Sequence, residues 1–474
     1  MGKFMLSFIL GIALGDWLSV FSAAAFNHHR RATTCDFSNT FALSVEEQNL
    51  NQQLPNYGLF GPTLIQKAGF VPQVNQISNN FCGADSFDKA KQSVREAGKL
   101  LFQFAVGRAQ DDNTGGEVNR YDDRPLYWAR LTLTKAIKQW KSGFEMSDDA
   151  RKELVTTFDL ASRGLDSVSF PTGNSARRVM VAGFDPFQLN ADIRTANPSG
   201  AIALQLSGKT FNTSSGPIVV HAVVLPVLYG ENGFDDGVVE AAFGPALQDA
   251  ERRPDGIVTI SQGLPEQFDI ERWAGGWRGG FPDNNNVKST GPVPPAAGWP
   301  QPNINFIETT LPYQQMQDAA TGPFKVRYNT EFCEWPKGSP TTEPCIRHDS
   351  GVPASDSIPA EGGGGDYLSN ESMYRANRLR VGLELTNLRG GHLHVPVLGF
   401  PDGNAPSDQK FEKKRLDIIS QALQLVEAEL ERENVTGKIV LKIAKDERGE
   451  FAVSLRNASG FTQYRFHQEQ VRVF

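Results

Sequence analysis

The alternation of short apolar strands with helices after residue 177 is the feature that most constrains the fold of this chain. The predicted strands lie at 178–182, 218–228 and 256–261 and around His394. The predicted helices begin near Asn197, Val238, Ser369 and Gln409. Such alternation predicts a largely parallel sheet, because parallel neighbours need a crossover that usually contains a helix. We therefore predict an α/β fold over residues 177–431, a three-layer α/β/α sandwich with a mostly parallel sheet, in which ligands bind at the carboxyl ends of the strands.

The segment before this unit is predicted to be helical. Apolar residues recur at helical spacing over 87–106, 125–140 and 147–165. No histidine lies between His29 and His221, so no catalytic constellation is visible there. We interpret residues 26–172 as a helical N-terminal domain or extension, a module for packing or a lid.

The two ends of the chain have patterns of their own. Residues 1–25 combine Lys3, an apolar run over 4–14 and a stretch of small residues, which is the layout of a secretory signal peptide. An uncleaved N-terminal anchor is the alternative. Residues 438–474 alternate around a turn at 446–449 and predict an added β-hairpin.

Two segments inside the α/β unit are predicted to be insertions. Residues 284–302 are rich in Asn, Pro and Gly, and residues 321–365 end in four consecutive glycines. Long irregular loops within a compact domain are usually functional or mobile.

Composition and cysteines limit the class of protein. The chain of 474 residues is 39% hydrophobic and 21% charged, which is typical of a folded protein, and its formal charge of -7 argues against nucleic acid and anionic membranes as partners. The four cysteines are not spaced like the ligands of a zinc site. They allow three disulfide pairings, and proximity in sequence favours Cys35 with Cys82 and Cys333 with Cys345. We expect a secreted, extracellular protein that binds no metal and no membrane after signal removal. Its oligomeric state is open.

Ser369 follows a glycine run and stands where a helix is predicted to begin. Unpaired amides and partial positive charge at a helix N-terminus would stabilise a developing oxyanion beside such a hydroxyl. A serine needs a general base as well, and His394 is the first candidate. The alternative is that Ser369 only caps the helix. Asn370 begins an N-x-[ST] sequon, as do Asn212, Asn434 and Asn457, and a glycan at Asn370 would obstruct Ser369.

Several sequence blocks occur in a fixed order along the α/β unit. They are VAGFDPF with the later NPSG, LPVLYG, SQGLPEQFDIERWA, DYLSNESMYR and GGHLHVPVL. Together these blocks, spread over residues 177–431, resemble the pyroglutamyl peptidase I (pyrrolidone-carboxylate peptidase) family. The resemblance implies a hydrolase that removes N-terminal pyroglutamate from peptides, or cleaves a related amide, and needs no cofactor.

The resemblance also implies roles for individual residues. Ser369 stands at the nucleophile position, His394 at the base position and Glu271 at the position of the carboxylate that orients the imidazole. Phe184 and Phe187 match aromatic residues that would sandwich a pyroglutamyl ring, and Gln262 matches a polar residue near the lactam.

Each of these roles has an alternative. Phe184 and Phe187 could be core aromatics, and Glu271 with Arg272 could be an exposed ion pair. His392 lies two residues before His394, so both face the same way on a strand and His392 could be the partner of Ser369. A site in which both histidines bind a metal lacks a third ligand at suitable spacing.

The sequence departs from the family pattern at the nucleophile, which is cysteine in that family and Ser369 here. One interpretation is a serine hydrolase, favoured outside the cell because a reactive thiolate would be oxidised. The other is a catalytically inactive protein that binds pyroglutamyl-type termini. A third possibility is a mainly structural secreted protein. The candidate base and carboxylate favour the hydrolase.

Overall fold

Helices make up most of the described chain between residues 35 and 164. The computed structural model describes residues 35–111, 116–173, 176–213, 216–319, 322–430, 440–445, 451–457 and 460–466. The first helices are α1 (Val45–Gln48), α2 (Phe60–Lys67), α3 (Val71–Cys82), α4 (Phe87–Gln110), α5 (Arg124–Gln139) and α6 (Asp148–Ser162), with a short hairpin of β1 (Gln53–Leu54) and β2 (Gly58–Leu59). The periodicity in the sequence has a direct structural cause, since α4 buries Ala90, Val94, Ala97, Leu101 and Phe102 along one face. The predicted signal peptide and the turn at 446–449 lie outside the described residues.

Strands and helices alternate in the following part. The elements are β3 (Arg177–Phe184), α7 (Pro198–Leu206), β4 (Thr210–Thr213), β5 (Gly216–Leu225), α8 (Val238–Gln248), β6 (Gly256–Gln262), β7 (Gln267–Glu271), β8 (Trp273–Gly275) and β9 (Trp277–Gly279). They continue with β10 (Thr290–Pro292), β11 (Phe306–Glu308), α9 (Tyr313–Ala319), β12 (Lys325–Asn329), β13 (Phe332–Trp335), β14 (Ile346–His348), β15 (Ile358–Glu361), α10 (Leu368–Gly382), β16 (Arg389–Val395) and α11 (Gln409–Leu430).

A large central sheet organises this part of the chain. Among the described strands its order is β12-β7-β16-β6-β3-β5-β4. The four central strands β16, β6, β3 and β5 run parallel. β4 is antiparallel to β5, β7 is antiparallel to β16, and β12 is parallel to β7. The prediction of a mixed α/β fold with a mostly parallel sheet is confirmed.

The two faces of the sheet pack into different cores. Val179 and Val181 of β3 belong to a first core, which also contains buried residues of α4, α5, α7 and α11. Met180 and Ala182, the alternate residues of the same strand, belong to a second core with side chains of α8 and α10. This split follows from the two-residue period of a strand. The N-terminal helices therefore share one continuous core with one face of the sheet.

The segment 321–365, expected to be irregular, contains several strands. β12 extends the edge of the central sheet, and β13 pairs with β14 and β15 in a small antiparallel sheet. Every residue of β13 is buried, although the surrounding sequence is rich in Pro, Gly and Thr. The expectation of an irregular loop is wrong here because short buried strands leave little periodic signal.

Both favoured disulfides, Cys35–Cys82 and Cys333–Cys345, are present. At the C-terminal end, β17 (Val440–Lys445), β18 (Phe451–Asn457) and β19 (Gly460–Phe466) form an antiparallel sheet, so a third strand joins the expected hairpin. No helix in the described part of the chain is both long and apolar enough to span a membrane.

A candidate Ser-His-Glu site beside a glycine loop

The register of β16 brings a histidine and a glutamate together. β16 lies between β6 and β7, and His392 pairs with Glu271 across the antiparallel ladder. Two-residue alternation then puts His394 on the same face as Glu271. The Nδ1 atom of His394 lies 2.7 Å from Oε1 of Glu271, and the two side chains are 8% and 1% exposed. A carboxylate at Nδ1 fixes the tautomer in which Nε2 can accept a proton.

Asn329 holds the other oxygen of Glu271. Its Nδ2 atom donates to Glu271 Oε2 at 2.8 Å and to the carbonyl oxygen of Gly363 at 3.0 Å. Asn329 reaches this position because β12 pairs with β7 in a register that sets Asn329 against Glu271. The sequence reasoning missed Asn329, and only recognition of β12 as a strand could have found it.

The glycine run before α10 packs directly on the site. A Cβ at Gly362 would overlap Oδ1 of Asn370, and one at Gly363 would overlap Oε2 of Glu271. A Cβ at Gly364 would lie 3.1 Å from Cε1 of His394. These three glycines, here named the glycine loop, let the backbone approach the side chains below it.

Ser369 lies in the first turn of α10, next to the glycine loop. The N-cap of this helix is Tyr367, so the alternative that Ser369 caps it is wrong. The half-buried Ser369 donates from Oγ to the carbonyl oxygen of Gly364 at 3.2 Å. The amide of Glu371 donates to the Tyr367 carbonyl, whereas the amides of residues 368–370 precede the first intrahelical bond. Donors for an oxyanion are therefore beside the Ser369 hydroxyl.

Two buried residues fix the start of α10. Asn370 accepts from the amide of Gly275 at 2.9 Å and donates to its carbonyl at 2.7 Å. Glu371 binds Arg278 through two contacts of 2.6 Å and also accepts from Arg375 at 2.7 Å. Since Asn370 is 1% exposed with both ends of its amide bonded, the sequon there is closed to a glycan.

His392 has a different environment from His394. Its Nδ1 lies 2.7 Å from the hydroxyl of Thr259, and its Nε2 lies 2.8 Å from that of Ser261. Burial, reinforced by His394, lowers the pKa of His392 well below its usual value, so the ring stays neutral. With both nitrogens occupied, His392 can be neither the partner of Ser369 nor a metal ligand.

The alternative for Glu271 is also wrong. Glu271 is buried and bonded to His394, whereas Arg272 pairs with Glu308 at 2.8 Å. The two neighbours in sequence therefore point to different partners.

The predicted substrate residues lie near the carboxyl ends of the strands but differ in accessibility. Phe184 is 3% exposed and stacks on Phe234 with ring centroids 6.2 Å apart, and Phe187 is half-buried against the same second core. Leu368 and the partly buried Tyr367 at the start of α10 also pack in this core. Gln262 accepts from the amide of Leu398 at 3.1 Å, so it supports the loop after β16.

Fold and geometry define an α/β protein with a buried His-Glu pair at the C-terminal edge of a mostly parallel sheet and a serine at the adjacent helix start. Family models match this chain in two parts: the PA0049 N-terminal domain over residues 25–159, and the PA0049 C-terminal domain over residues 178–315 and 308–399. The uncharacterized protein PA0049 of Pseudomonas aeruginosa is 30% identical over 504 residues, covering 83% of this chain and 90% of the relative. The chain belongs to the PA0049 family. No solved structure matches it.

The comparisons correct the family assignment made from sequence blocks. Both matched models and the relative belong to the PA0049 family, so the identification as a member of the pyroglutamyl peptidase family is wrong. Short blocks at strand ends carried that resemblance, and such positions favour glycine, proline and polar residues for general backbone reasons. Any role of Ser369, His394 and Glu271 must therefore be argued from their geometry.

Proposed function

We propose that this protein is a serine hydrolase that cleaves an amide through an acyl-enzyme, with Ser369 as nucleophile, His394 as general base and Glu271 as the orienting carboxylate. One observation carries the proposal. A buried carboxylate binds Nδ1 of His394, and the Ser369 hydroxyl donates to the carbonyl oxygen of Gly364, a residue whose Cβ would lie 3.1 Å from Cε1 of the same ring. A base oriented by a carboxylate next to a hydroxyl at a helix start is the arrangement that acyl transfer requires.

The reaction follows from these groups. Ser369 Oγ attacks the substrate carbonyl carbon and passes its proton to Nε2 of His394, while helix amides of residues 369 and 370 donate to the oxyanion. The tetrahedral intermediate expels the amine, which takes the proton from His394, and an ester to Ser369 remains. Water then adds to the ester with His394 as base, and the acid leaves as the Ser369 hydroxyl is restored.

The substrate that we propose first is a peptide with N-terminal pyroglutamate, or a related small uncharged acyl amide. Phe187 supports this choice, since it is half-buried against the second core that contains Leu368, the residue before Ser369, whereas Phe184 is 3% exposed and would have to be uncovered to contact the ring. Aromatic and apolar surface with a few polar groups suits a planar lactam.

We also propose a secreted, extracellular location, which is supported by the two disulfides. We propose a three-layer α/β/α arrangement as well, which is supported by the separate cores on the two faces of the sheet.

A catalytically inactive binding protein is the second candidate. It is favoured by the hydrogen bond from Ser369 Oγ to the Gly364 carbonyl, because that bond directs the hydroxyl proton away from His394. To act as a nucleophile, the Ser369 hydroxyl would have to rotate from the Gly364 carbonyl to the imidazole of His394.

A fluorophosphonate probe tests the nucleophile without knowledge of the substrate. Ser369 Oγ would displace fluoride from phosphorus, and mass spectrometry would locate the adduct. We expect labelling of the wild type at Ser369 and none in Ser369→Ala. Ser289→Ala removes a hydroxyl that accepts from Arg278, so it is the matched serine control and should keep labelling at Ser369. Absence of any adduct at Ser369 in the wild type would reject the serine hydrolase.

Release of a fluorophore from a pyroglutamyl amide tests the substrate separately. If the probe labels Ser369 but the pyroglutamyl amide is not cleaved, the proposal of a serine hydrolase stands and pyroglutamate is rejected as its acyl group. Turnover that disappears in Ser369→Ala would support both. The Ser369→Cys variant tests whether His394 can act as a base at this position. If it can, the introduced thiol should react readily with a thiol reagent.

A further inference from the structure

A separate cavity of about 350 Å³ lies between the first helices and the start of the loop after β5. The apolar residues Phe41, Leu131, Val155 and Leu228 line it, together with the acidic residue Glu46. None of Ser369, His394 and Glu271 is among its lining residues. The cavity is therefore a different place from the proposed hydrolytic site.

Glu46 is an acid without a cationic partner. It is 5% exposed, and its Oε1 accepts hydrogen bonds from the hydroxyl of Tyr127 at 2.9 Å and from Nδ2 of Asn284 at 2.8 Å. Among the described residues no ion pair involves Glu46. Two neutral donors thus hold the carboxylate of a residue that lines the cavity.

The other buried charges on the cavity wall are already paired. Lys138 binds Glu47 at 2.7 Å, and Arg163 binds Asp159 at 2.6 Å. Lys152 and Glu231 are exposed and opposite in sign, so they leave no net charge at the rim. The charge that remains uncompensated inside is the negative charge of Glu46.

We propose that this cavity binds a small primary amine with an apolar body, whose ammonium group pairs with Glu46. An ammonium group has three donors and no acceptor, which matches a carboxylate already held in position by other donors. The apolar walls take the rest of the molecule. A buried charge is stabilised by a partner of opposite sign, so an anionic ligand is excluded from the same place.

Amine binding in this cavity depends on pH. Burial raises the pKa of Glu46 to about 7, and Asp185 adds to this, while Asn284, Arg163 and Tyr127 act in the opposite direction. The amine stays protonated below its own pKa of about 10, so the ionisation of Glu46 controls binding between about pH 6 and pH 8. Affinity rises about tenfold over that interval, because the ionised fraction of Glu46 rises by about that factor.

Calorimetry with phenethylamine and 2-phenylethanol, which differ at the group expected to meet Glu46, tests this inference. The wild-type protein should bind the amine and not the alcohol at about pH 8, and the amine about tenfold more weakly at about pH 6. Equal binding of both compounds, a flat pH dependence or no binding of the amine would each overturn the proposal.

Variants locate the site. Glu46→Gln keeps an acceptor for Tyr127 and should weaken amine binding at least tenfold, whereas Glu231→Gln, at the exposed rim, should leave it unchanged. A melting curve checks that Glu46→Gln is folded. If it is not, Val155→Phe, which fills the cavity, should remove amine binding, and unaltered binding in that folded variant would contradict the location.

Discussion

Two histidines on one strand take different roles because their neighbours differ. His392 and His394 share a face of β16, with ring centroids 4.6 Å apart. His392 meets two hydroxyls and is fully buried, whereas His394 meets the carboxylate of Glu271. A hydroxyl can donate to or accept from a neutral ring, but an ionised carboxylate only accepts, so it dictates which nitrogen of His394 carries the proton.

Glu271→Gln should therefore reduce turnover strongly while preserving the fold. The amide nitrogen of the introduced glutamine can donate to Nδ1 of His394, which would favour the tautomer with a proton on Nε2 and block that atom as a base. We expect kcat to fall about 10²- to 10⁴-fold with little change in KM. The rate of fluorophosphonate labelling measures the loss if the substrate is still unknown.

Glu308→Gln provides the matched control for this change. Glu308 pairs with Arg272, one residue from Glu271, and its carboxylate is half exposed. Its replacement should leave the labelling rate within about twofold, since exposed ion pairs contribute little. Equal loss in the two variants would contradict an orienting role for Glu271.

The glycine loop connects the structural elements that build the site. It directly follows β15, lies three residues before α10, and meets Glu271 of β7, Asn329 of β12 and His394 of β16. A side chain on this loop would have to displace atoms fixed by hydrogen bonds. The four glycines in the sequence are thus explained by close approach as well as by turn geometry, since Gly365 alone among them has a positive φ, of 82°.

Gly363→Ala should disturb the site more than the fold. Its Cβ would overlap the Glu271 oxygen that Asn329 holds, so the carboxylate must move away from its bonded position. We expect a fall in labelling rate of at least tenfold with a small shift in melting temperature. Gly230→Ala is the control, because a Cβ there meets no atom within 4 Å and its φ is not positive. A normal labelling rate in Gly363→Ala would show that Glu271 tolerates the displacement.

The sequence predicted the helices and strands that bury apolar side chains on one face or on all sides. The helix that begins near Ser369 and the strand with His394 were predicted as part of the alternation of strands and helices, and they are α10 and β16 in the structure. β7 was missed because its polar residues Asp269 and Glu271 are buried, and their partners Arg327, His394 and Asn329 come from other strands. Pairings between distant segments leave no local pattern, so the role of Asn329 could not be predicted from sequence.

At the scale of the whole molecule, several acids are buried where ionisation is unfavourable. Burial raises the pKa of Glu46 and of Asp123 to about 7, and that of Glu429 to about 8. Each of these groups holds its proton more tightly in the folded chain than in the unfolded chain. Stability therefore falls as pH rises from the unfolded pKa to the folded pKa of each group.

Glu429 offers the clearest test of this pH dependence. It is fully buried on α11, and neither carboxylate oxygen has a hydrogen bond in the described structure. Burial is the main cause of the raised pKa, Asp255 adds to it, and Arg389 and Arg177 oppose it. With a pKa of 4.5 when exposed and about 8 when folded, Glu429 should cost on the order of 3 kcal/mol of unfolding free energy between pH 4.5 and about pH 7.

Glu429→Gln should remove this contribution, because the amide does not titrate. Urea unfolding of the variant and the wild type should give a difference in unfolding free energy that moves in favour of the variant as pH rises from 4.5 to about 8. Glu343→Gln, at an exposed carboxylate, should run parallel to the wild type over the same range. A difference between Glu429→Gln and the wild type that stays constant with pH would mean that Glu429 is ionised in the folded protein, and a cation such as Arg389 would then have to be its partner.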